Sequence, residues 1–152
     1  MSTRRRARET LLKVLYLSES RDISFNAAFA EFASADREMA MLPNGEAKEA
    51  IRPFASGLDG TQRDYVLVLG KFIEEHHADL NNRILPLLKN WDLERIARID
   101  RLILWIALAE MERMLDIPTA VSINEALELA KSFSSDKSRS FINGILDAAS
   151  KQ

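Results

Sequence analysis

Five cations and one tyrosine near the start of the chain are the residues best suited to binding a charged ligand. They are Arg4, Arg5, Arg6, Arg8, Lys13 and Tyr16. Arginine and lysine neutralise phosphate groups, and the face of a tyrosine ring can stack on an unpaired base. Together they indicate a surface for a single-stranded nucleic acid.

A helical wheel at about 100° per residue tests whether these side chains share a face. One arc of about 100°, opposite the apolar stripe, holds Arg5, Arg6, Lys13 and Tyr16. The alternative is that the arginines only solvate the N-terminus while Tyr16 packs at the edge of the core. The wheel leaves both interpretations open.

The usual signatures of catalysis are missing. There is no cysteine, which excludes thiol nucleophiles, disulfides and thiolate metal sites. The two histidines, His76 and His77, are adjacent, so on a helix they diverge and do not converge on one ion. The five glycines form neither a dinucleotide fingerprint nor a phosphate-binding loop. The sequence therefore predicts no enzyme activity, no cofactor and no metal.

Composition favours one helical domain over residues 1–152. The chain is 47% hydrophobic and 29% charged, with 5 Gly and 4 Pro, too few turn residues for a sandwich of short strands. The net charge is -2, although residues 1–16 form a basic arm and helix. The longest apolar run, residues 102–109, is too short to span a bilayer. We expect a cytoplasmic protein without membrane association.

Apolar residues recur at helical spacing through most of the chain. The first helix should begin at Ser2 or Thr3, a second after Ser24, and a third should cover 62–79. Residues 34–61 are expected to form an irregular loop with one short helix. The pattern continues after a polar break at residues 81–82 and is expected to close at Trp91.

The most apolar helix, at 93–115, should be central. Ser122 and Glu125 have the spacing of a capping box that would open the next helix. After a break at 134–138, a final helix contains Gly144, which predicts a close approach between helices.

Several separated blocks resemble, in order, one known family. They are RRRARE at 4–9, LY at 15–16, ILWIALAE at 103–110, IP at 117–118, VSINEA at 121–126, ELAKSF at 128–133 and FINGILD at 141–147. The sequence is similar to the NusB family of bacterial transcription antitermination factors. The resemblance implies an all-α fold of two packed helical bundles. It also implies binding of the box A element of ribosomal-operon leader RNA with NusE, a small-subunit ribosomal protein, in an RNA polymerase antitermination complex.

The resemblance adds residues to the expected RNA surface. In family members the loop between the last two helices lies beside the basic N-terminus, which implies that Lys137, Ser138 and Phe141 are RNA neighbours, with Phe133 at the other end of this segment. Phe133 and Phe141 also have helical spacing with apolar partners. Each is therefore equally a candidate for the core.

A partner surface is expected on the C-terminal half. NusE should dock around the central helix, where the candidate contacts are Asp100, Arg101 and Glu110. The alternative is that all three are ordinary solvated charges.

Two departures from the family and two rival functions qualify the resemblance. Trp105 stands where family members often have arginine, and residues 34–61 match poorly. One rival is the RNA-binding domain found fused to a ribosomal-RNA cytosine methyltransferase, although the length leaves no room for a methyl-donor domain. The other is a protein-binding adaptor or homo-oligomer, including a homodimer, without a direct RNA role.

Overall fold

The computed structural model describes residues 3–40, 58–89 and 92–152. Within these ranges it contains six α-helices and no strand, which confirms the all-α prediction. The helices are α1 (Thr3–Arg21), α2 (Phe25–Ala40), α3 (Gly60–Ile84), α4 (Arg98–Arg113), α5 (Thr119–Phe133) and α6 (Asp136–Ser150). The chain divides into two compact units, Met1–Lys71 and Phe72–Gln152, which are described separately.

In the first unit, α1 packs against α2. The apolar stripe of α1 is buried, and it includes Ala7, Leu11, Val14 and Leu15. On α2, the buried rings of Phe25 and Phe29 stack with their centroids 6.5 Å apart. The apolar stripe of α1 therefore determines which of its faces remains at the surface.

Polar side chains define where α2 and α3 begin. The Ser24 hydroxyl accepts a hydrogen bond from the Ala27 amide at 3.1 Å. At the start of α3, the Gln62 amide donates to Asp59 Oδ1 at 2.8 Å, and the Asp59 amide donates to Gln62 Oε1 at 2.9 Å. This reciprocal pair is a capping box that satisfies amides of the first turn.

In the second unit, α4 packs against both α5 and α6, and α5 packs against α6. Every residue from 102 to 110 is buried. The prediction that this helix is central within its unit is therefore confirmed. Its N-terminal bound differs, because α4 begins at Arg98 after a separate 3₁₀ helix at Leu93–Arg95.

Other boundaries also differ from the prediction. The third helix continues through residues 81–82 to Ile84, with non-helical backbone at His76 (φ −125°, ψ 15°). The backbone of residues 34–40, expected to be irregular, belongs to α2. Residues 41–57 of the expected loop lie outside the described residues, and Gly60, near its expected end, begins α3. Trp91, expected to close the next segment, also lies outside the described residues.

The capping box predicted at Ser122 is wrong. The N-cap of α5 is Pro118, so Ser122 lies inside the helix rather than at its start. Its hydroxyl donates instead to Glu110 Oε1 of α4 at 2.9 Å. The serine thus connects two helices and does not cap one.

Gly70, on the half of α3 within the first unit, is required by its contact with α2. A methyl group at this position would overlap the ring of Phe25, which is 1% exposed and cannot move aside easily. Overpacking of this kind costs about 1–3 kcal/mol, so we expect Gly70→Ala to lower the free energy of unfolding by that amount in urea denaturation.

Gly144→Ala is the matched control. In the described residues no heavy atom lies within 4 Å of the added Cβ, which contradicts the predicted close approach there. Alanine is the better helix former, so this variant should gain about 0.5–1 kcal/mol. Equal stability of Gly70→Ala and wild type would contradict the account of the Phe25 contact.

Candidate nucleic-acid interface

Three cations and a tyrosine lie on the face of α1 opposite its buried stripe, and we call this set the cationic arc. Its members are Arg5, Arg6, Lys13 and Tyr16. The three cations are half-buried, and Tyr16 has 42% of its surface exposed. The exposure of Tyr16 favours the stacking role over the alternative that its ring packs in the core.

Arg4 and Arg8 lie on another side of α1, near a second tyrosine. Tyr65 of α3 is 3% exposed, and the Cζ atoms of Arg4 and Arg8 lie 5.3 and 5.9 Å from its ring centroid. These distances are within the range of cation–π attraction. Arg8 is only 4% exposed, so its guanidinium contributes to the interior of the first unit. Its predicted contact with RNA stays a prediction that this geometry disfavours.

One acid shares this face, although the helical wheel of the sequence analysis did not include it. Glu9 falls near 160° on the wheel, between Arg5 and Lys13, and is half-buried like its neighbours. The cationic arc and Glu9 together carry two net positive charges. Placing every residue of the helix on the wheel, rather than only the cations, would have found it.

The turn between α5 and α6 is built from serines. Ser134 is the C-cap of α5, and Ser135 is the N-cap of α6. The Ser135 hydroxyl accepts a hydrogen bond from the Ser138 amide at 3.2 Å. Ser138 is half-buried, and its hydroxyl donates a hydrogen bond to Asp100. Lys137 is exposed. Of the two, Lys137 has the more accessible side chain for a phosphate.

Phe133 and Phe141 are both half-buried, which is compatible with either of their predicted roles. Arg139 is a neighbouring cation that sequence reasoning passed over. Its Nε is buried, without a hydrogen-bond partner among the described residues.

The three residues predicted to bind a partner do not form one exposed patch. Asp100 and Glu110 are 6% and 1% exposed, and both accept hydrogen bonds from serines. The idea that they are ordinary solvated charges is therefore wrong. Glu110 lies three residues after Ala107 and seven after Ile103, so it shares their apolar face, and this spacing was the available signal.

Arg101 is the accessible member of the set. It is half-buried, and its guanidinium lies over the ring of Trp105 with Cζ 4.5 Å from the centroid. The indole of Trp105 is itself held in place, because its Nε1 donates to Asn81 Oδ1 at 2.8 Å. The ring of His77 lies 5.6 Å from the indole.

The two histidines contact groups of their own helix. The Nδ1 of His77 lies 3.0 Å from the carbonyl oxygen of Glu74, and that of His76 lies 3.5 Å from Asp79. In the part of the chain that the structure describes, no three His, Cys, Asp or Glu side chains could hold a metal ion. None of the described helices is long and apolar enough to cross a membrane.

Comparison with known proteins gives the family. The model of the NusB family matches residues 5–151. A transcription antitermination protein NusB from Lactiplantibacillus plantarum is 37% identical over 84% of this chain and 89% of its own length. A NusB protein from Clostridium botulinum is 34% identical over 94% of this chain and 96% of its own. The chain belongs to the NusB family of transcription antitermination proteins.

Solved NusB structures share its fold. A T. maritima NusB structure has a TM-score of 0.78 and 28% identity, covering 98% of this chain and 91% of that one. A structure of NusB and NusE in complex with dsRNA has a TM-score of 0.76, covering 99% and 98% of the two chains. Its identity is 20%, so that likeness is one of fold alone.

The departure from the NusB pattern at Trp105 has a structural explanation. The indole is 7% exposed and bonded to Asn81, a residue that the sequence indicated as a break in the helix. A buried indole needs an acceptor for its N–H, and Asn81 supplies one from within α3.

The two tyrosines give a direct test of this geometry. Tyr16→Ala should change the free energy of unfolding by less than about 1 kcal/mol, because Tyr16 lies at the surface with 42% of its area exposed. Tyr65→Ala is the matched comparison and should cost about 3–5 kcal/mol, as for other buried aromatic rings. Thermal melting followed by circular dichroism measures both. A large loss of stability in Tyr16→Ala would show that its ring belongs to the core.

Proposed function

We propose that this protein binds the box A element of ribosomal-operon leader RNA together with NusE, as part of an RNA polymerase antitermination complex in the cytoplasm. The observation that carries this proposal is the cationic arc. An exposed tyrosine beside three cations can stack on a base while the cations neutralise the flanking phosphates. No catalytic step is required of such a surface.

The arc favours single-stranded RNA over a duplex. The bases of a duplex are stacked on each other, so an exposed ring on a helix has no base face to contact. Unpaired bases offer their faces, and stacking on an aromatic ring contributes about 1–3 kcal/mol per base. The described NusB and NusE complex contains dsRNA, so both forms of RNA belong in the test.

A second set of RNA contacts is proposed on α6. Lys137 is exposed in the first turn of that helix and supplies a fourth cation, and half-buried Phe141 offers part of a second ring. We include Arg4 in the surface as a weaker candidate, since its guanidinium lies against Tyr65. Arg8 is left out because it is buried.

The direct experiment measures retention of a short box A RNA by the protein, with and without NusE. The expected result is binding of the single strand, strengthened by NusE, with weaker binding of a shuffled sequence and of the duplex. Binding of NusE without any binding of RNA would instead support the protein-binding adaptor. Self-association without either ligand would support the homo-oligomer.

The salt dependence of RNA binding tests the charges of the arc. If Arg5, Arg6, Lys13 and Lys137 each contact a phosphate, log Kd should change with log salt by about 3 units, at about 0.7 per single-strand contact. Arg5→Ala combined with Arg6→Ala should reduce this slope by about 1.4. Tyr16→Ala should weaken binding at an unchanged slope, and Tyr16→Phe, which keeps the ring, should resemble wild type.

A flat salt dependence in wild type would contradict the assignment of the cations. If wild type shows the expected slope and the double arginine variant keeps it, the assignment is wrong for Arg5 and Arg6 alone. Equal losses in Tyr16→Ala and Tyr16→Phe would contradict stacking, because only the hydroxyl would then matter.

We also propose that NusE docks against the face of α4 that presents Arg101. The indole beneath the guanidinium restricts its motion, so its N–H groups can meet a carboxylate of the partner at a lower entropic cost. Asp100 and Glu110 are unsuitable as test positions, since reversing a buried, hydrogen-bonded charge would disturb the fold itself. Their predicted partner contacts stay predictions.

Arg101→Glu is the variant that tests this surface. It should weaken capture of NusE by at least tenfold, because an attractive charge at the interface becomes a repulsive one. Arg95→Glu, at an exposed arginine before α4, is the matched control and should leave capture unchanged. Surface plasmon resonance measures both. Unchanged capture by Arg101→Glu would place the interface elsewhere.

A further inference from the structure

One carboxylate holds both ends of the turn between α5 and α6. Asp100, in the first turn of α4, is 6% exposed. Its Oδ1 accepts a hydrogen bond from the Ser134 hydroxyl at 2.6 Å, and its Oδ2 accepts one from the Ser138 hydroxyl at 2.6 Å. The two oxygens of a single side chain therefore hold residues on either side of the turn.

Ser135 completes this arrangement, which we call the serine network (Asp100, Ser134, Ser135 and Ser138). The Ser135 hydroxyl donates to the Ser138 hydroxyl at 3.1 Å and accepts from the Ser138 amide at 3.2 Å. The Ser138 hydroxyl thus accepts from one neighbour and donates to another. No glycine is needed in this turn, because the backbone of Ser134 (φ −136°) and of Ser135 (φ −119°) has negative φ, which any residue adopts.

The hydrogen bonds of the serine network favour one geometry of the turn. A hydroxyl that donates to a carboxylate forms a short and strong bond, and a buried carboxylate that loses its donors is costly. The start of α4 also favours a negative charge, because the helix dipole is positive there. Together these effects hold the turn in a single conformation relative to α4.

Lys137 lies inside this fixed segment, between Ser135 and Ser138, and its own side chain is exposed. Its backbone is therefore held on both sides while its ammonium group remains accessible. A cation presented from a rigid turn reaches a phosphate at a lower entropic cost than one on a flexible loop.

We propose that Asp100 is a positioning residue for RNA binding, acting through Ser134 and Ser138 on the contact that Lys137 makes. This inference rests on the proposed function, since it needs RNA to reach Lys137. It assigns Asp100 to the RNA side of the protein's activity, although the residue touches no RNA. It also assigns the three serines of the turn a role that the sequence alone does not indicate.

The test removes the hydroxyls without changing any charge. The double variant Ser134→Ala with Ser138→Ala should lose the salt-dependent contribution of Lys137. One single-strand contact accounts for about a 2.6-fold loss of affinity between about 50 and 200 mM salt. Over that range, the fall in affinity of the double variant should therefore be about 2.6-fold smaller than the fall in wild type. Lys137→Ala should show the same smaller fall. Combining all three substitutions should add nothing further.

Two controls separate positioning from stability. Ser134→Thr with Ser138→Thr keeps both hydroxyls and should restore the wild-type salt dependence. Ser132→Ala removes an exposed serine near the end of α5 and should have no effect. Affinities are compared well below each variant's melting temperature. Should the double alanine variant fail to fold, Ser138→Ala alone carries the same comparison with Lys137→Ala.

The outcomes distinguish this inference from the proposed function. If Lys137→Ala lowers the salt dependence and the serine variants do not, the positioning role is wrong while the RNA surface stands. If Lys137→Ala has no effect although wild type binds RNA, the positioning role and the Lys137 contact are both wrong. Absence of RNA binding by wild type overturns the proposed function and this inference together.

Discussion

The buried apolar stripe of α1 is the constraint on which the proposed RNA surface depends. With 3.6 residues per turn, burial of Leu11 and Leu15 determines the direction of every other side chain on the helix. Arg8 shares the buried side and interacts with Tyr65, whereas Arg5 and Lys13 are directed away from it. The number of cations that can reach RNA is therefore smaller than the number of cations in the sequence.

Buried carboxylates impose a similar constraint on the second unit. Burying an ionised side chain is unfavourable unless hydrogen bonds compensate for the lost water. Glu110 is compensated by Ser122 and Asp100 by Ser134 and Ser138, so each of the two buried acids of α4 is tied to α5 or to the turn that follows it. Apolar packing tolerates small displacements, but these bonds require specific distances. They give α4, α5 and the turn one mutual arrangement.

The parts of this fold that could be predicted are those determined by the helical spacing of residues close together in the sequence. The stripe of α1, the start of α2 after Ser24 and the central position of α4 all follow from apolar spacing. The burial of the α4 acids Asp100 and Glu110 was not predicted, although Glu110 falls on the apolar face. The serine partners of Asp100 lie 34 and 38 residues away, so no local pattern could have indicated them.

Capping patterns also show that a local sequence pattern is not enough to predict a contact. The predicted box at Ser122 and the observed one at Asp59 and Gln62 are both four-residue patterns in which a capping residue is followed three positions later by Glu or Gln. The position of the helix start decides between them, and Pro118 moves the start of α5 ahead of Ser122. For the candidate site, the sequence indicated the exposed face of α1, and the same helical period places Arg8 on the buried side. The contact of Arg8 with Tyr65 could not be predicted, because it depends on the position of another helix.

Amide chemical-shift mapping of the isotope-labelled protein during titration with box A RNA can show whether the cationic arc and Lys137 bind the RNA. We expect the largest shifts at Arg5, Arg6, Lys13, Tyr16 and Lys137, and smaller ones with a shuffled RNA. Shifts confined to other helices, with these five amides unchanged at saturating RNA, would contradict this expectation.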